Sequence, residues 1–295
     1  MRKSMLIPAL ALVLGAAAAG LRMWQRTAGY DGSGLPVPFA LPAVVLTLFL
    51  LLCAGALLYL ALRQPKTMEA QSEALPRRVV PAAALALAGA LLLAGGAASL
   101  LHFFRDYLAY SQVLYATQDE QQEALRGFLS AGLLALVLAL AAVAASAALL
   151  LRAKRIKLDE EDPGGIAVSL PPLFCCVWLI EVYRQHTANP VLWDYVLLLL
   201  ASVALLISTY ERAGFSLGVG KPRRTVFSSL SALLLTVAAL PDCGGAVNAV
   251  ILCALGIQSA VETAALLDAL AYRPKRLAPE PAQDTTTQED ASHEE

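Results

Sequence analysis

Four polar side chains in an otherwise apolar stretch near the end of the chain could carry chemistry inside a membrane. They are Gln258, Ser259, Glu262 and Thr263. Gln258 and Glu262 are four residues apart, so a helix places them on the same face. An acidic group at membrane depth is costly and often marks a proton, ion or substrate pathway. These four residues are therefore our candidate intramembrane polar site.

Glu262 also has a structural interpretation that requires no ligand. No Lys or Arg lies well inside an apolar run, so the sequence predicts no basic partner for this carboxyl group. Glu262 could be protonated and hydrogen-bonded to a neighbouring helix, or its helix could lie deeper so that it reaches the interface. Placing an acidic side chain at the centre of a membrane helix costs about 2.5–3.5 kcal/mol, and lipid offers no partner to offset that cost. We therefore expect the side chain of Glu262 to point into the helix bundle.

A glycine-rich, basic segment at residues 214–224 resembles two catalytic motifs without meeting their requirements. Residues 214–218 match G-x-S-x-G, but the hydrolase motif follows a buried strand and needs a His base within hydrogen-bond reach. Pro222 stands where a phosphate-binding loop needs Ser or Thr to hold magnesium. The better interpretation of the basic residues is contact with anionic lipid headgroups. The candidates for this contact are Lys221, Arg223 and Arg224.

Other classes of function find no support in the sequence. The number of cysteines, five, is odd, and no two of them have C-x-x-C spacing. The cysteines therefore indicate neither a disulfide framework nor a zinc site. No paired-carboxylate arrangement suits general acid–base catalysis. The net charge is −1 and the basic residues cluster near the ends of apolar runs, which argues against nucleic-acid binding. We expect no enzyme activity, no cofactor and no metal, and the lipid bilayer as the partner.

The elements that must position these residues are membrane-spanning helices. Only 15% of the residues are charged and the mean hydropathy is +0.63, whereas a soluble domain is about 25% charged. The charges lie in short clusters between apolar runs, each about long enough to cross roughly 30 Å of hydrocarbon as a helix. The sequence predicts an all-α integral membrane bundle of about eight helices. The runs are 5–23, 39–62, 79–104, 127–151, 166–183, 191–210, 226–241 and 246–270.

The distribution of Lys and Arg predicts that both termini lie in the cytoplasm. With eight spans, 17 of the 22 Lys and Arg residues fall on the inside. Residues 1–23 also resemble a signal peptide. Because the run is long enough to span and the remaining chain is itself a membrane domain, we interpret it as the first span. The five on the outside are Arg22, Arg26, Arg105, Arg126 and Arg184.

The chain divides into a transmembrane domain at 1–276 and an acidic tail at 277–295. The tail contains six acidic residues and no Lys or Arg, which predicts a disordered cytoplasmic segment. The pattern R-R-x-V followed by R-x-K-R begins at Arg77 and again at Arg223. This recurrence suggests a duplication into halves 1–157 and 158–276, in parallel orientation. The alternative is that the positive-inside preference alone places basic clusters at these ends.

The longest predicted outside loop, about 105–126, contains tyrosines near helical spacing. We interpret it as a helix extension at the outer headgroups, where tyrosine is favoured.

Residues 184–242 resemble uncharacterised multi-pass membrane proteins of clostridial Gram-positive bacteria. The residues that carry the resemblance are Asn189-Pro190, Tyr195 and Gly220-Lys221-Pro222-Arg223-Arg224, with the apolar run that follows. The resemblance implies a bacterial inner membrane and no particular activity.

Two functions remain open from the sequence. The first is a carrier for a small solute or ion, or a permease-like subunit, suggested by the polar face of the eighth run and the recurring basic pattern. The second is a non-catalytic structural or interaction protein that binds another membrane protein. Its support is the small number of polar groups within the spans and an acidic tail free to bind.

Overall fold

Each of the eight apolar runs forms an α-helix in the computed structural model. The structure describes residues 3–31, 35–65, 79–111, 118–158, 166–187, 191, 194–217 and 219–271. Within these residues no strand is present beyond one isolated bridge, and the predicted all-α bundle is confirmed. The helices are α1 (Lys3–Ala28), α2 (Leu41–Leu62), α3 (Val79–Ser111), α4 (Gln118–Leu158), α5 (Ile166–His186), α6 (Val196–Ser216), α7 (Pro222–Ala238) and α8 (Ala246–Ala271).

Seven of these helices are long and apolar enough to cross a membrane. The exception is α7, which has 17 residues and a length of about 25 Å. Its two ends nevertheless reach opposite ends of the bundle. Arg223 in its first turn bonds to Gln64 at the end of α2, and Asp242, in the 3₁₀ turn Leu240–Asp242 that follows, bonds to Arg22 near the end of α1. The seventh apolar run, 226–241, therefore also crosses the bundle.

We call the face at which α1 ends the outer face and the opposite face the inner face, following the predicted orientation. The acidic tail at 277–295 lies outside the described residues.

The centre of the bundle is α7, which packs against α1, α2, α6 and α8. Within the described residues, the main neighbours of α3 are α4 and α8. A duplication would make α3 and α7 equivalent helices. The duplication alone does not explain why the two helices have different neighbours. The halves 1–157 and 158–276 stay a prediction.

Small residues allow close approach at the main helix contacts. A Cβ atom on Gly15 would lie 2.8 Å from the carbonyl oxygen of Leu234, so α1 and α7 touch through their backbones. A Cβ atom on Gly96 would lie 2.6 Å from the Cβ of Ala142 and would separate α3 from α4.

The hairpin of α3 and α4 extends beyond α8 at the outer face. Gly95 of α3 lies level with Ile251 of α8. From there α3 continues to Ser111, whereas α8 begins only five residues away at Ala246, so α3 extends about 16 Å further. The predicted helix extension is confirmed for 105–111 and 118–126. The ring of Phe128 stacks with those of Phe103 and Tyr110 and tilts against that of Tyr107.

Candidate functional site

Glu262 lies inside the bundle, where three helices bring polar side chains together. It is 2% exposed. Its Oε1 atom accepts hydrogen bonds from Arg152 of α4 at 2.6 Å and from the amide of Gln258 at 3.3 Å. Its Oε2 atom lies 3.5 Å from Nε of Arg212 of α6. The side chain points into the bundle, as its energetic cost predicts, and Gln258 shares its face of α8.

The prediction that Glu262 has no basic partner is wrong. Arg152 and Arg212 follow the predicted apolar runs 127–151 and 191–210, where the sequence indicates an inner loop. In the structure α4 and α6 continue as helices past these runs, to Leu158 and Ser216, and both arginines are nearly buried. Long arginine side chains can reach along a helix surface while their stems stay in apolar surroundings. Glu262 therefore lies at the level where α4 and α6 leave the apolar layer.

The geometry favours an ionised carboxylate at Glu262. Arginine guanidinium groups only donate hydrogen bonds. Oε1 accepts from Arg152, and Oε2 faces Arg212. A protonated carboxyl group would need one of its oxygens to donate, and neither of the two arginines that face these oxygens can accept. The arrangement is a buried ion cluster that joins α4, α6 and α8.

The other two residues of the candidate site, Ser259 and Thr263, belong to a different contact. Ser259 donates to the backbone oxygen of Ser229 on α7 at 3.4 Å. Ser229 also accepts from Ser208 of α6 at 3.0 Å. Thr263 donates to the backbone oxygen of Ser259 at 2.6 Å. The four sequence candidates thus divide between the ion cluster and a hydroxyl cluster where α6, α7 and α8 meet.

Two buried acceptor groups close to these clusters have no partner in the part of the chain that the structure describes. They are Oε1 of Gln258 and Oγ1 of Thr236 on α7. Thr236 lies against Gly256 of α8, half a turn from Gln258. Buried polar atoms are usually satisfied by protein or by ordered water. These atoms could therefore bind water or a small polar ligand in the interior.

A second buried ion pair, not predicted from the sequence, lies near the outer face. Nε of Arg22 lies 2.9 Å from each carboxylate oxygen of Asp242, and both side chains are fully buried. The Nη1 group of Arg22 donates to Gln25 at 2.9 Å. We counted Arg22 as an outside residue, although it falls within the run 5–23. That position inside an apolar run was the signal that it needs a buried acid.

Nearby, Tyr30 donates to Asp194 at 2.8 Å and joins the end of α1 to the start of α6. Partial burial and this hydrogen bond raise the pKa of Tyr30 above its usual value.

A third polar network joins α5 to α8 at the outer face. Asn248 accepts from the indole of Trp178 at 3.2 Å and donates to Gln185 at 3.1 Å. Gln185 donates in turn to Glu181 at 2.9 Å. Glu181 also forms an ion pair with Arg184, at 3.3 Å. Ten residues of α8 separate Asn248 from Gln258, a rise of about 15 Å. The buried apolar residues in this interval are Ile251, Leu252, Ala254 and Leu255.

The three candidates for headgroup contact occupy different environments at the inner face. Lys221 and Arg224 are exposed. Arg223 is partly buried, and its Nε donates to the backbone oxygen of Gln64 at 2.7 Å. Arg223 thus holds α7 to the end of α2. Lipid contact stays a prediction for the three residues.

Known proteins provide no further guide to this site. No protein-family model, curated protein or solved structure matches the chain. Among the residues that the structure describes, no group of three or more His, Cys, Asp or Glu side chains could hold a metal ion. The polar clusters themselves are therefore the basis for assigning a function.

Proposed function

We propose that this multi-pass membrane protein is a carrier, or a permease-like subunit, for a small solute or ion. The observation that carries the proposal is the ion cluster of Glu262, Arg152 and Arg212, contributed by three different helices. Burying such charges costs several kcal/mol per ion, and apolar side chains of similar volume often give equal or greater stability. A purely structural bundle has no need of them. Ionisable groups buried in membrane domains commonly serve transport pathways.

The position of the cluster suits a gate at the inner face. Secondary carriers work by moving one group of helices against another around a central site. The contacts of Glu262 join α4 and α6 to α8, so the inner face can open only when at least one of them separates. The partnerless oxygen of Gln258 lies one turn deeper, and the apolar residues from Ile251 to Leu255 close the outer side. In this proposal the structure is a closed state.

For location, we propose a bacterial inner membrane with both termini in the cytoplasm. The orientation follows from the Lys and Arg distribution, and the membrane type from the resemblance of residues 184–242.

Transport in liposomes tests the carrier proposal. The full-length protein is reconstituted with a pH-sensitive dye inside, and proton uptake is driven by a valinomycin-induced potassium potential. The same liposomes are assayed for uptake of labelled amino acids, monocarboxylates and inorganic ions. We expect at least one of these fluxes to exceed that of protein-free liposomes and to be lost in Glu262→Gln. The matched variant Glu211→Gln changes an acid on α6 outside the cluster and keeps the flux.

Two results would contradict the proposal. One is a wild-type flux equal to that of protein-free liposomes for every probe. The other is a flux that survives unchanged in a folded Glu262→Gln variant.

The alternative, an interaction protein, is favoured by the outer hairpin of α3 and α4. Beyond the first residue of α8, this hairpin exposes large apolar side chains, among them Leu101, Phe104 and Leu108. Exposed apolar patches often mark contacts with other proteins. A photocrosslinking residue at Leu108 should give discrete adducts of higher mass in native membranes. The same residue at Leu52, which is 74% exposed on α2, serves as the lipid-facing control. Equal, diffuse labelling at the two positions would argue against a partner at the hairpin.

A further inference from the structure

A cavity of about 390 Å³ lies between α2 and α6, above the surface of α7. We call it the lateral groove. Its walls are mainly leucines, including Leu50 of α2, Leu200 of α6 and Leu234 of α7. It lies toward the outer face, because α2 and α6 both begin there. It is separate from the ion cluster of Glu262, which lies at the inner face.

The lateral groove opens to the side of the bundle. Among the described helices, α2 packs mainly on α1 and α7, whereas α6 packs mainly on α5 and α7, so α7 lies between them. At the rim, Leu51 is 65% and Leu200 is 47% exposed, on a surface that the apolar runs place in hydrocarbon. Most of the lining is apolar, and an apolar cavity does not hold ordered water. Its occupant must therefore come from the bilayer.

One end of the groove is polar. Gln25 contributes to its lining and is only 2% exposed. Its Oε1 atom accepts a hydrogen bond from Arg22, and because arginine only donates, this contact fixes the orientation of the amide. The Nε2 group of Gln25 donates to no residue that the structure describes. An amide donor at the end of an apolar groove calls for an acceptor on the occupant.

We propose that the lateral groove binds one acyl chain of a membrane lipid, with a carboxyl or ester oxygen accepting from Nε2 of Gln25. The volume is near the lower end of the roughly 300–1,000 Å³ typical of small-molecule sites, which suits a single chain. Gln25 lies three residues before the end of α1, near the depth at which lipid chains of the outer leaflet meet their carbonyl groups. The proposal does not depend on the carrier function, because Gln25 and Glu262 lie toward opposite faces.

Photolabelling tests the proposal. Full-length protein in phosphatidylcholine nanodiscs is irradiated with palmitic acid that carries a diazirine on its chain, and the labelled peptides are mapped by mass spectrometry. We expect the label to concentrate on the groove-lining residues of α2, α6 and α7 and to be displaced by excess unlabelled palmitate. A label spread over the lipid-facing helices in proportion to their exposed surface would overturn the proposal.

Matched variants separate the groove from ordinary lipid contact. Leu50→Trp fills the groove and should remove most of the label, whereas Leu52→Trp adds the same side chain on the lipid-facing side of α2 and should not. Leu200→Trp fills the groove from the opposite wall, in case Leu50→Trp does not fold. Equal labelling of the filled and control variants would refute the site.

Gln25→Glu tests the polar end of the groove. The carboxylate keeps an acceptor for Arg22 but replaces the amide donor with an acceptor. We expect palmitate to bind about tenfold more weakly, which corresponds to the loss of one hydrogen bond, while the variant stays folded. Unchanged affinity in a folded Gln25→Glu variant would exclude the proposed contact.

Discussion

Replacing Glu262 by Gln gives a direct measure of what the buried ion cluster contributes to stability. The substitution keeps the size of the side chain and removes its negative charge. Arg152 and Arg212 then remain at 5% and 9% exposure without the carboxylate that they share. Removing one partner of a buried ion pair costs about 3–5 kcal/mol. We expect the lower end of this range, since both arginines lie near the inner face and can extend toward water.

The effect is large compared with the 5–15 kcal/mol of a typical folded protein. It can be measured by titrating the protein with SDS in mixed micelles and following tryptophan fluorescence, because Trp178 is fully buried in the bundle. Glu211→Gln removes a neighbouring acid that makes no ion pair with a described residue, and should change the free energy of unfolding by less than about 0.5 kcal/mol.

A double-mutant cycle distinguishes the ion cluster from a general effect of the substitution. With Arg152→Met in place, Glu262→Gln should cost less than it does alone, with a coupling energy of about 0.5–3 kcal/mol. If Glu262→Gln were as stable as the wild type, or the two substitutions were additive, the cluster would not stabilise the fold and the reasoning would be refuted.

Two further predictions concern packing and orientation. Gly15→Ala should destabilise the protein by about 1–3 kcal/mol, because its methyl group would meet the backbone of Leu234. Gly20→Ala on the same helix is the control: its methyl group would meet no atom within 4 Å, so it should be neutral or slightly stabilising. Equal effects of the two substitutions in SDS titration would show that α1 and α7 are not in close contact. In a background without the native cysteines, Phe39→Cys should react with a membrane-impermeant maleimide in intact cells and Val219→Cys only after lysis; the reverse pattern would invert the proposed topology.

The sequence alone was sufficient to predict the helices and the burial of Glu262. The length of each apolar run predicts where a helix forms, because only a helix lets one continuous segment satisfy its backbone hydrogen bonds within itself in hydrocarbon. The free-energy cost of a carboxylate that faces lipid predicts that the Glu262 side chain points inward, and in the structure that side chain is buried. The spacing of Gln258 and Glu262 likewise predicts their shared face, because the period of the helix alone determines it.

The partners of these residues were decided only by the tertiary structure. Arg22 and Asp242 are 220 residues apart, and Arg152 is 110 residues from Glu262. Apolar runs specify which residues leave water, but many lateral arrangements and relative depths of the helices bury them equally well. Ion pairs form over a few ångströms, so their partners depend on which helices are neighbours and at what level each crosses the bundle. Close contacts such as that of Gly15 with Leu234 set those distances, and through them the pairing of the buried charges that the structure describes.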